Sequence, residues 1–169
     1  MTPKAEKVEV QIKYKDLQQS FSAPPEETWF LLSKFFNQFL PSFEIVNRLK
    51  LSVDLEALAK DCEGLVGFSE EGLNLLVPKN KLTDNETLLL LLLASYLGKK
   101  LGLMEKLTLP RELLQAKLGK NGKITSTRLG ELAKNDLISK TSGDEYHITT
   151  FGIIQMQKEI IPKIKAKND

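Results

Sequence analysis

The sequence is poor in the side chains that build catalytic and metal sites. Among its 169 residues it has one cysteine, Cys62, and one histidine, His147. A single cysteine excludes an intramolecular disulfide, and one histidine with one cysteine excludes a zinc site of ordinary composition. A glycine-rich phosphate loop is also missing, because Gly119, Gly122 and Gly130 lack the spacing of a nucleotide-binding fingerprint. We therefore expect no enzymatic activity, no metal and no cofactor.

The sequence also lacks an apolar run long enough for a membrane helix. Its leucine run, Leu88–Leu93, contains six residues, whereas a membrane-spanning helix needs about 20 apolar residues. The segment Met1–Lys4 is not followed by the apolar stretch of a secretory signal. Together with the single cysteine, which suits a reducing compartment, these features predict a cytoplasmic protein that does not enter a membrane.

Positive charge is concentrated in the C-terminal part of the sequence. Residues 108–169 carry 11 Lys and Arg against 7 Asp and Glu, whereas residues 1–107 carry 13 against 15. Four basic residues fall within 12 positions that contain no acid: Lys117, Lys120, Lys123 and Arg128. Such a cluster is typical of a surface that meets nucleic-acid phosphates. The alternative interpretation is an ordinary solvated surface, where most lysines are found.

Two helices joined by a basic turn are predicted within this region. Thr108 is a favoured N-cap type and Pro110 stands in the first turn, so we expect a helix that begins here and ends at Gly119. The segment Lys120–Lys123 has the composition of a turn. Ile124–Lys134 restores the helical spacing of apolar residues, which predicts a second helix with one buried side.

A two-stranded hairpin is predicted after the second helix. Leu137–Lys140 has the composition of a strand, Thr141–Asp144 that of a turn, and Glu145–Thr149 that of the returning strand. The segment Thr149–Gly152 is expected to lead into a final helix that runs through Ile161. The hairpin and the two helices thus follow one another without a gap.

This order of elements resembles that of winged helix-turn-helix proteins among the prokaryotic transcription regulators. The resemblance runs from Thr108 to Gly152 and includes an Arg-Leu-x-x-Leu pattern that begins at Arg128. It also includes a Tyr-x-Ile-Thr-x-x-Gly pattern that begins at Tyr146. The resemblance implies a winged helix-turn-helix domain in residues 81–169.

The same resemblance implies a transcription regulator that binds double-stranded DNA. The helix 124–134 would enter the major groove, and the side chains near the bases would be those of Ser126, Thr127 and Arg128. The residues at and before the turn that would meet phosphates are Lys117, Lys120, Asn121 and Lys123. The wing, residues 137–149, would contact the flanking backbone or the minor groove through Lys140, Ser142 and His147. Catalytic and metal-binding residues are not implied.

A second class of function stays open. A winged helix also serves as a protein–protein interaction module inside a larger assembly, because one fold hosts several tasks. The clustered positive charge favours DNA. Binding to any duplex across salt concentrations distinguishes the two hypotheses, because phosphate contacts produce a steep dependence on salt.

Residues 1–80 are predicted to form an α+β region, which makes the whole chain α+β and mostly helical. Alternating apolar residues predict a strand from Val8 to Tyr14, a second strand follows at Leu17–Ala23, and an aromatic-rich helix begins at Pro25. A short helix at Ser42–Lys50 precedes a helix-hairpin unit. That unit consists of a helix at Val53–Cys62, capped by Ser52, and strands at Leu65–Phe68 and Leu73–Val77.

Two helices carry more apolar residues than one small core face needs. The first spans Trp29–Leu40, and we expect its aromatic residues to pack in a core or a dimer rather than to stack on bases. The second follows a capping box at Thr83–Glu86 and contains Leu88–Leu97. It either joins the two halves of the chain or forms a homodimer seam. We expect a homodimer that uses at least one of these helices.

Overall fold

The computed structural model describes residues 7–14, 16–39 and 49–168. The described chain is α+β and mostly helical, with small antiparallel sheets. It divides into two compact units, Met1–Lys50 and Leu51–Asp169. The division therefore differs from the boundary predicted after residue 80. The reason is that Leu58, Cys62 and Leu73 belong to the same hydrophobic core as the leucine run.

The first unit contains a hairpin and one helix. Strands β1 (Val8–Tyr14) and β2 (Leu17–Ala23) pair antiparallel, as predicted. Helix α1 (Pro25–Phe39) packs against β2. The buried Thr28 hydroxyl donates to the Ala23 carbonyl at 3.0 Å and so ties the start of α1 to the strand. The short helix predicted for Ser42–Lys50 lies mostly outside the described residues.

The second unit begins with the predicted helix-hairpin unit. Helix α2 spans Leu55–Cys62, and the hairpin pairs β3 (Val66–Ser69) with β4 (Gly72–Leu75). The predicted N-cap at Ser52 is wrong. The carboxylate of Asp54 caps α2 instead, because it accepts hydrogen bonds from the backbone N–H groups of Glu56 and Ala57.

Helix α3 (Asp84–Lys100) forms the centre of the second unit. It starts at the predicted capping box, in which the Thr83 hydroxyl accepts from the Glu86 N–H and the Glu86 carboxylate accepts from the Thr83 N–H. The residues Leu88–Leu93 are all 2% exposed or less. They are covered on every side because α3 packs against α2, the β3–β4 hairpin and the elements that follow it.

The elements after α3 form two helices and a three-stranded sheet. The helices are α4 (Arg111–Leu118) and α5 (Gly122–Lys134); the strands are β5 (Leu109–Pro110), β6 (Ile138–Lys140) and β7 (Glu145–Ile148). The strands are antiparallel in the order β5-β7-β6. The predicted N-cap at Thr108 is wrong. Pro110 occupies the cap position of α4, since Leu109 and Pro110 pair with β7.

The chain ends in a helical segment with an irregular middle. It consists of α6 (Thr150–Gln155), a π-helical turn at Met156–Ile160 and α7 (Ile161–Ala166), and so extends past the predicted end at Ile161. The Thr149 hydroxyl caps α6 by accepting from the Gly152 N–H at 2.9 Å. Within the described part of the chain, no helix has the length and apolar character needed to cross a membrane.

Candidate nucleic-acid interface

Helix α5 has one buried side and one exposed side. Thr125, Leu129 and Leu132 are 2% exposed or less and face the core of the second unit. The opposite side is solvent-exposed and carries small or basic residues: Lys123, Ser126, Thr127, Gly130 and Lys134. The spacing of the apolar residues explains this division, because positions three and four apart share one helix face. The exposed side can therefore approach a partner without a change in the core.

The turn before α5 is tighter than predicted. Gly119 adopts a left-handed conformation with φ of 74° and ends α4, and Asn121 is already the N-cap of α5. The Asn121 Oδ1 accepts from the Ile124 N–H at 2.9 Å. The Arg111 guanidinium donates to the Gly122 carbonyl at 3.2 Å and links the two helices. Asn121 thus holds the turn together through its Oδ1, and a phosphate contact would use the Nδ2 group of the same side chain, which is the donor.

Two of the predicted phosphate-binding lysines are accessible, and a third is engaged within the chain. Lys120 and Lys123 are exposed and form no ion pair with any described residue. The Lys117 ammonium group donates to the Leu73 carbonyl at 2.9 Å and connects α4 to β4. The positive charge available at the start of α5 therefore comes from Lys120 and Lys123.

Arg128 lies between two acids. Its guanidinium Nη1 is 3.0 Å from Glu131 Oε2, and its Nε is 3.6 Å from Asp84 Oδ2. The hydrogen bond to Glu131 raises the pKa of Arg128, and the bond from Arg128 lowers the pKa of Glu131. About two fifths of the Arg128 side chain remains exposed, with a relative value of 41%. The sequence does not indicate Asp84 as a partner, because the rest of α3, together with β5 and α4, lies between it and Arg128.

The hydroxyl groups on the exposed side of α5 differ in availability. The Thr127 hydroxyl donates to the Lys123 carbonyl at 2.9 Å, so its proton is used within the helix while its oxygen still accepts. Ser126 is exposed and its hydroxyl has no hydrogen-bond partner among the described residues. Lys123, Ile124, Thr127 and Arg128 line a shallow cavity of about 180 Å³. Of the two hydroxyl groups on this face, that of Ser126 is therefore the one that is free to donate to an external group.

The β6–β7 hairpin carries the predicted wing residues. The Lys140 ammonium group is 2.7 Å from Asp144 Oδ1 and 5.8 Å from the ring centroid of Tyr146. The hydrogen bond to Asp144, followed by the proximity of Tyr146, raises the pKa of Lys140. Ser142 is exposed in the connecting turn. His147 is half-buried, and its Nδ1 has no hydrogen-bond partner in the described part of the chain.

The structure adds residues that the sequence did not indicate. Lys79 and Asn80 lie in a 3-10 turn before α3 and line a cavity of about 380 Å³ together with Lys120. Across residues 7–14, 16–39 and 49–168, no group of three or more His, Cys, Asp or Glu residues is placed to hold a metal ion. No protein-family model, curated protein or solved structure matches this chain.

Proposed function

We propose that residues 81–169 form a winged helix-turn-helix domain that binds double-stranded DNA in the cytoplasm and regulates transcription. The order of elements supports the proposal: α3, β5, α4, α5, β6 and β7 follow one another, with α4 and α5 joined by a short turn. The returning strand β7 lies between β5 and β6. In such proteins the second helix of the pair enters the major groove, and here that helix is α5.

The exposed side of α5 is the observation that carries the DNA proposal. Near its beginning lie Lys120, in the preceding turn, and Lys123, which form no ion pair with the described residues, and small residues follow farther along. Lysines neutralise phosphates, and serine or threonine hydroxyls bond to the edges of several bases. Gly130 presents no side chain on this face, and a Cβ added to it would meet no atom of the chain within 4 Å. A helix of this shape can approach the floor of a groove closely.

We assign Arg128 a positioning role, which it has in the absence of DNA. Its ion pair with Asp84 ties α5 to the beginning of α3, and its ion pair with Glu131 lies within α5 and holds the guanidinium against the helix. A guanidinium that moved fully onto a guanine would leave both carboxylates without their cation. We therefore expect the loss of Arg128 to weaken binding through a displaced helix as much as through a lost base contact.

The test measures binding to duplex DNA by fluorescence anisotropy over a range of KCl concentrations. We expect Lys120→Ala and Lys123→Ala each to weaken binding on all sequences and to lower the salt slope by about one ion per contact. Lys60→Ala is the matched control, because Lys60 is an exposed lysine in α2. If the wild-type protein does not bind duplex DNA at low salt, or if all three variants behave alike, the DNA proposal is wrong.

The alternative is a winged helix that serves as a protein interaction module. Exposed aromatic residues of the first unit support it, since Trp29 and Phe30 are 68% and 66% exposed and such patches are typical of protein contact sites. A folded protein that binds no duplex DNA at low salt would support this alternative, whereas loss of self-association on substitution of Trp29 or Phe30 tests only the homodimer proposed below.

We further propose that the protein is a homodimer formed through α1. The leucine run of α3 is buried within the second unit and has no free side to serve as a seam. Helix α1 offers Trp29 and Phe30 on its surface. A two-fold dimer would also present two copies of α5 to one DNA duplex. Light scattering at micromolar concentration checks this proposal, and a strictly monomeric mass would contradict it.

A further inference from the structure

A lysine outside the two-helix motif lies beside the turn that joins α4 to α5. Lys79 begins the 3-10 turn Lys79–Lys81, is exposed and has no ion-pair or hydrogen-bond partner among the described residues. Its Nζ is 3.8 Å from the position that a Cβ on Gly119 would occupy. Two segments that are far apart in sequence therefore meet at this point.

Lys79 and Lys120 share one concave surface. Both residues line the cavity of about 380 Å³, together with Asn80 and Gly119. Gly119 has no side chain to fill the space, and its left-handed conformation is one that other residues rarely adopt. The absence of a side chain at Gly119 therefore leaves open a cavity that both lysines line.

The charge of this cavity is suited to an anion. Asp84 also lines it, but the Asp84 carboxylate is already 3.6 Å from the Arg128 guanidinium. Lys79 and Lys120 both bring positive charge to this cavity, and an anion bound there would reduce their mutual repulsion. Phosphate oxygens, which accept hydrogen bonds from ammonium and amide groups alike, fit Lys79, Asn80 and Lys120.

We propose that Lys79, with Asn80, forms a second backbone-phosphate contact next to Lys120, so that the DNA-binding surface continues from the turn before α5 onto the turn before α3; this inference rests on the DNA-binding function proposed above. Phosphate contacts of this kind set the register of a protein on the duplex and carry no base information. The contact would fix the angle at which α5 enters the groove, because it lies outside α5 itself.

The experiment measures the affinity of a fluorescein-labelled duplex of about 20 base pairs for the full chain between 50 and 300 mM KCl. We expect Lys79→Ala to lower the salt slope by about 0.9 and the affinity at 0.1 M salt by roughly 5- to 10-fold, on specific and random duplexes alike. Lys79→Arg keeps the charge and should restore most of the affinity. The double variant Lys79→Ala, Lys120→Ala should lower the slope by about twice as much.

Three outcomes would overturn the inference. If the wild type binds DNA but Lys79→Ala matches the Lys60→Ala control in affinity and slope, the DNA proposal stands and the role of Lys79 is wrong. If the wild type binds no duplex, the proposed function fails and this inference fails with it. If 10 mM inorganic phosphate raises the melting temperature of the wild type but not of Lys79→Ala, while duplex binding is unaffected by the substitution, the cavity binds a free anion instead of DNA.

Discussion

Helices α1 and α3 have similarly apolar sequences but different surroundings. In α3 the six residues Leu88–Leu93 are all 2% exposed or less, whereas in α1 Trp29 and Phe30 are 68% and 66% exposed. Helix α3 is enclosed by helices and strands from both sides of it in the sequence. Among the described residues of its own unit, α1 has the β1–β2 hairpin to pack against. The number of covering elements therefore decides how much of an apolar helix is buried.

This difference suits α3 to stabilising the fold and α1 to contacting a partner. Burial of one leucine side chain stabilises the folded state by roughly 1.5–3 kcal/mol, so α3 supplies much of the stability of the second unit. Exposed aromatic side chains in α1 contribute little to the folding of a single chain. They present an apolar surface to a partner. Each substitution below tests either the stability of the second unit or the exposed surface of α1.

The largest effect is expected in the leucine run. Leu90 is fully buried, so Leu90→Ala should lower the free energy of unfolding by about 2–5 kcal/mol, through lost burial and the cavity left behind. Urea titration followed by circular dichroism measures this change. Leu103→Ala is the control, because Leu103 is 58% exposed and should change stability by less than about 0.5 kcal/mol. Equal losses in the two variants would contradict the central role of α3.

A pH titration should show that the core around α2 excludes water. Burial first, and then the neighbouring charge of Asp61, raises the pKa of Cys62 to about 11, while Lys165 acts in the opposite direction. The unfolded thiol ionises at about 8.5. A raised folded pKa stabilises the protein below the unfolded pKa, and this contribution is lost as pH rises from about 8.5 through 11.

The measurement compares wild type with Cys62→Ala by urea titration at intervals from pH 8 to pH 11. We expect the wild type to lose on the order of 2 kcal/mol more than the variant over this interval, since each pKa unit corresponds to about 1.4 kcal/mol. The comparison cancels the titration of lysines common to both proteins. Parallel pH profiles would show that the thiol is solvated in the folded state.

A smaller effect is expected at the beginning of α3. Thr83→Ala removes the hydroxyl that accepts from the Glu86 N–H and should lower the free energy of unfolding by about 1 kcal/mol. Thr150→Ala serves as the control, because Thr150 is exposed and makes no side-chain hydrogen bond with the described residues. Thermal unfolding of both variants measures the difference. If Thr83→Ala is as stable as Thr150→Ala, the capping box contributes nothing to α3.

The smallest effect on folding is expected at the surface of α1. Phe30→Ser should change the free energy of unfolding of a monomer by less than about 0.5 kcal/mol, because Phe30 is 66% exposed. Its expected effect on assembly is large, since the proposed dimer contact includes this ring. Light scattering should therefore report a shift from dimer to monomer. A dimer that survives both Phe30→Ser and Trp29→Ser would exclude α1 as the seam.

Much of the local structure was predictable because its causes lie within a few residues. The Thr83–Glu86 capping box, the β1–β2 hairpin and the amphipathic helix α5 all follow from side chains close together in sequence. One of the two wrong caps has a local cause and the other a distant one. Ser52 and Thr108 are favoured cap types, but Asp54 bonds to two N–H groups, and the residues after Thr108 pair with a strand that comes much later.

The candidate site was predictable only in part. The helix that carries Ser126 and Thr127 follows from apolar spacing, and so does the exposure of its polar side. The spacing of apolar residues does not predict which groups the basic side chains bond to. Lys117 bonds to the carbonyl of Leu73, an acceptor that every residue possesses and that no sequence pattern indicates. Whether a basic side chain is free to bind an external partner therefore depends on the folded chain.

By itself, the sequence determined most helices and strands and the capping box of α3, because the hydrogen bonds and side-chain contacts that form them act over three or four residues. Gly152 is an example of a residue whose role the local sequence explains only in part. Its place after Thr149 indicates a cap, yet only the folded chain shows that a Cβ there would collide with the Leu137 carbonyl. The tertiary structure alone decided that Asp84 pairs with Arg128 and that Lys79 lies beside Gly119. Burial and ion pairing depend on distances in space, and packing brings together residues that are far apart along the chain.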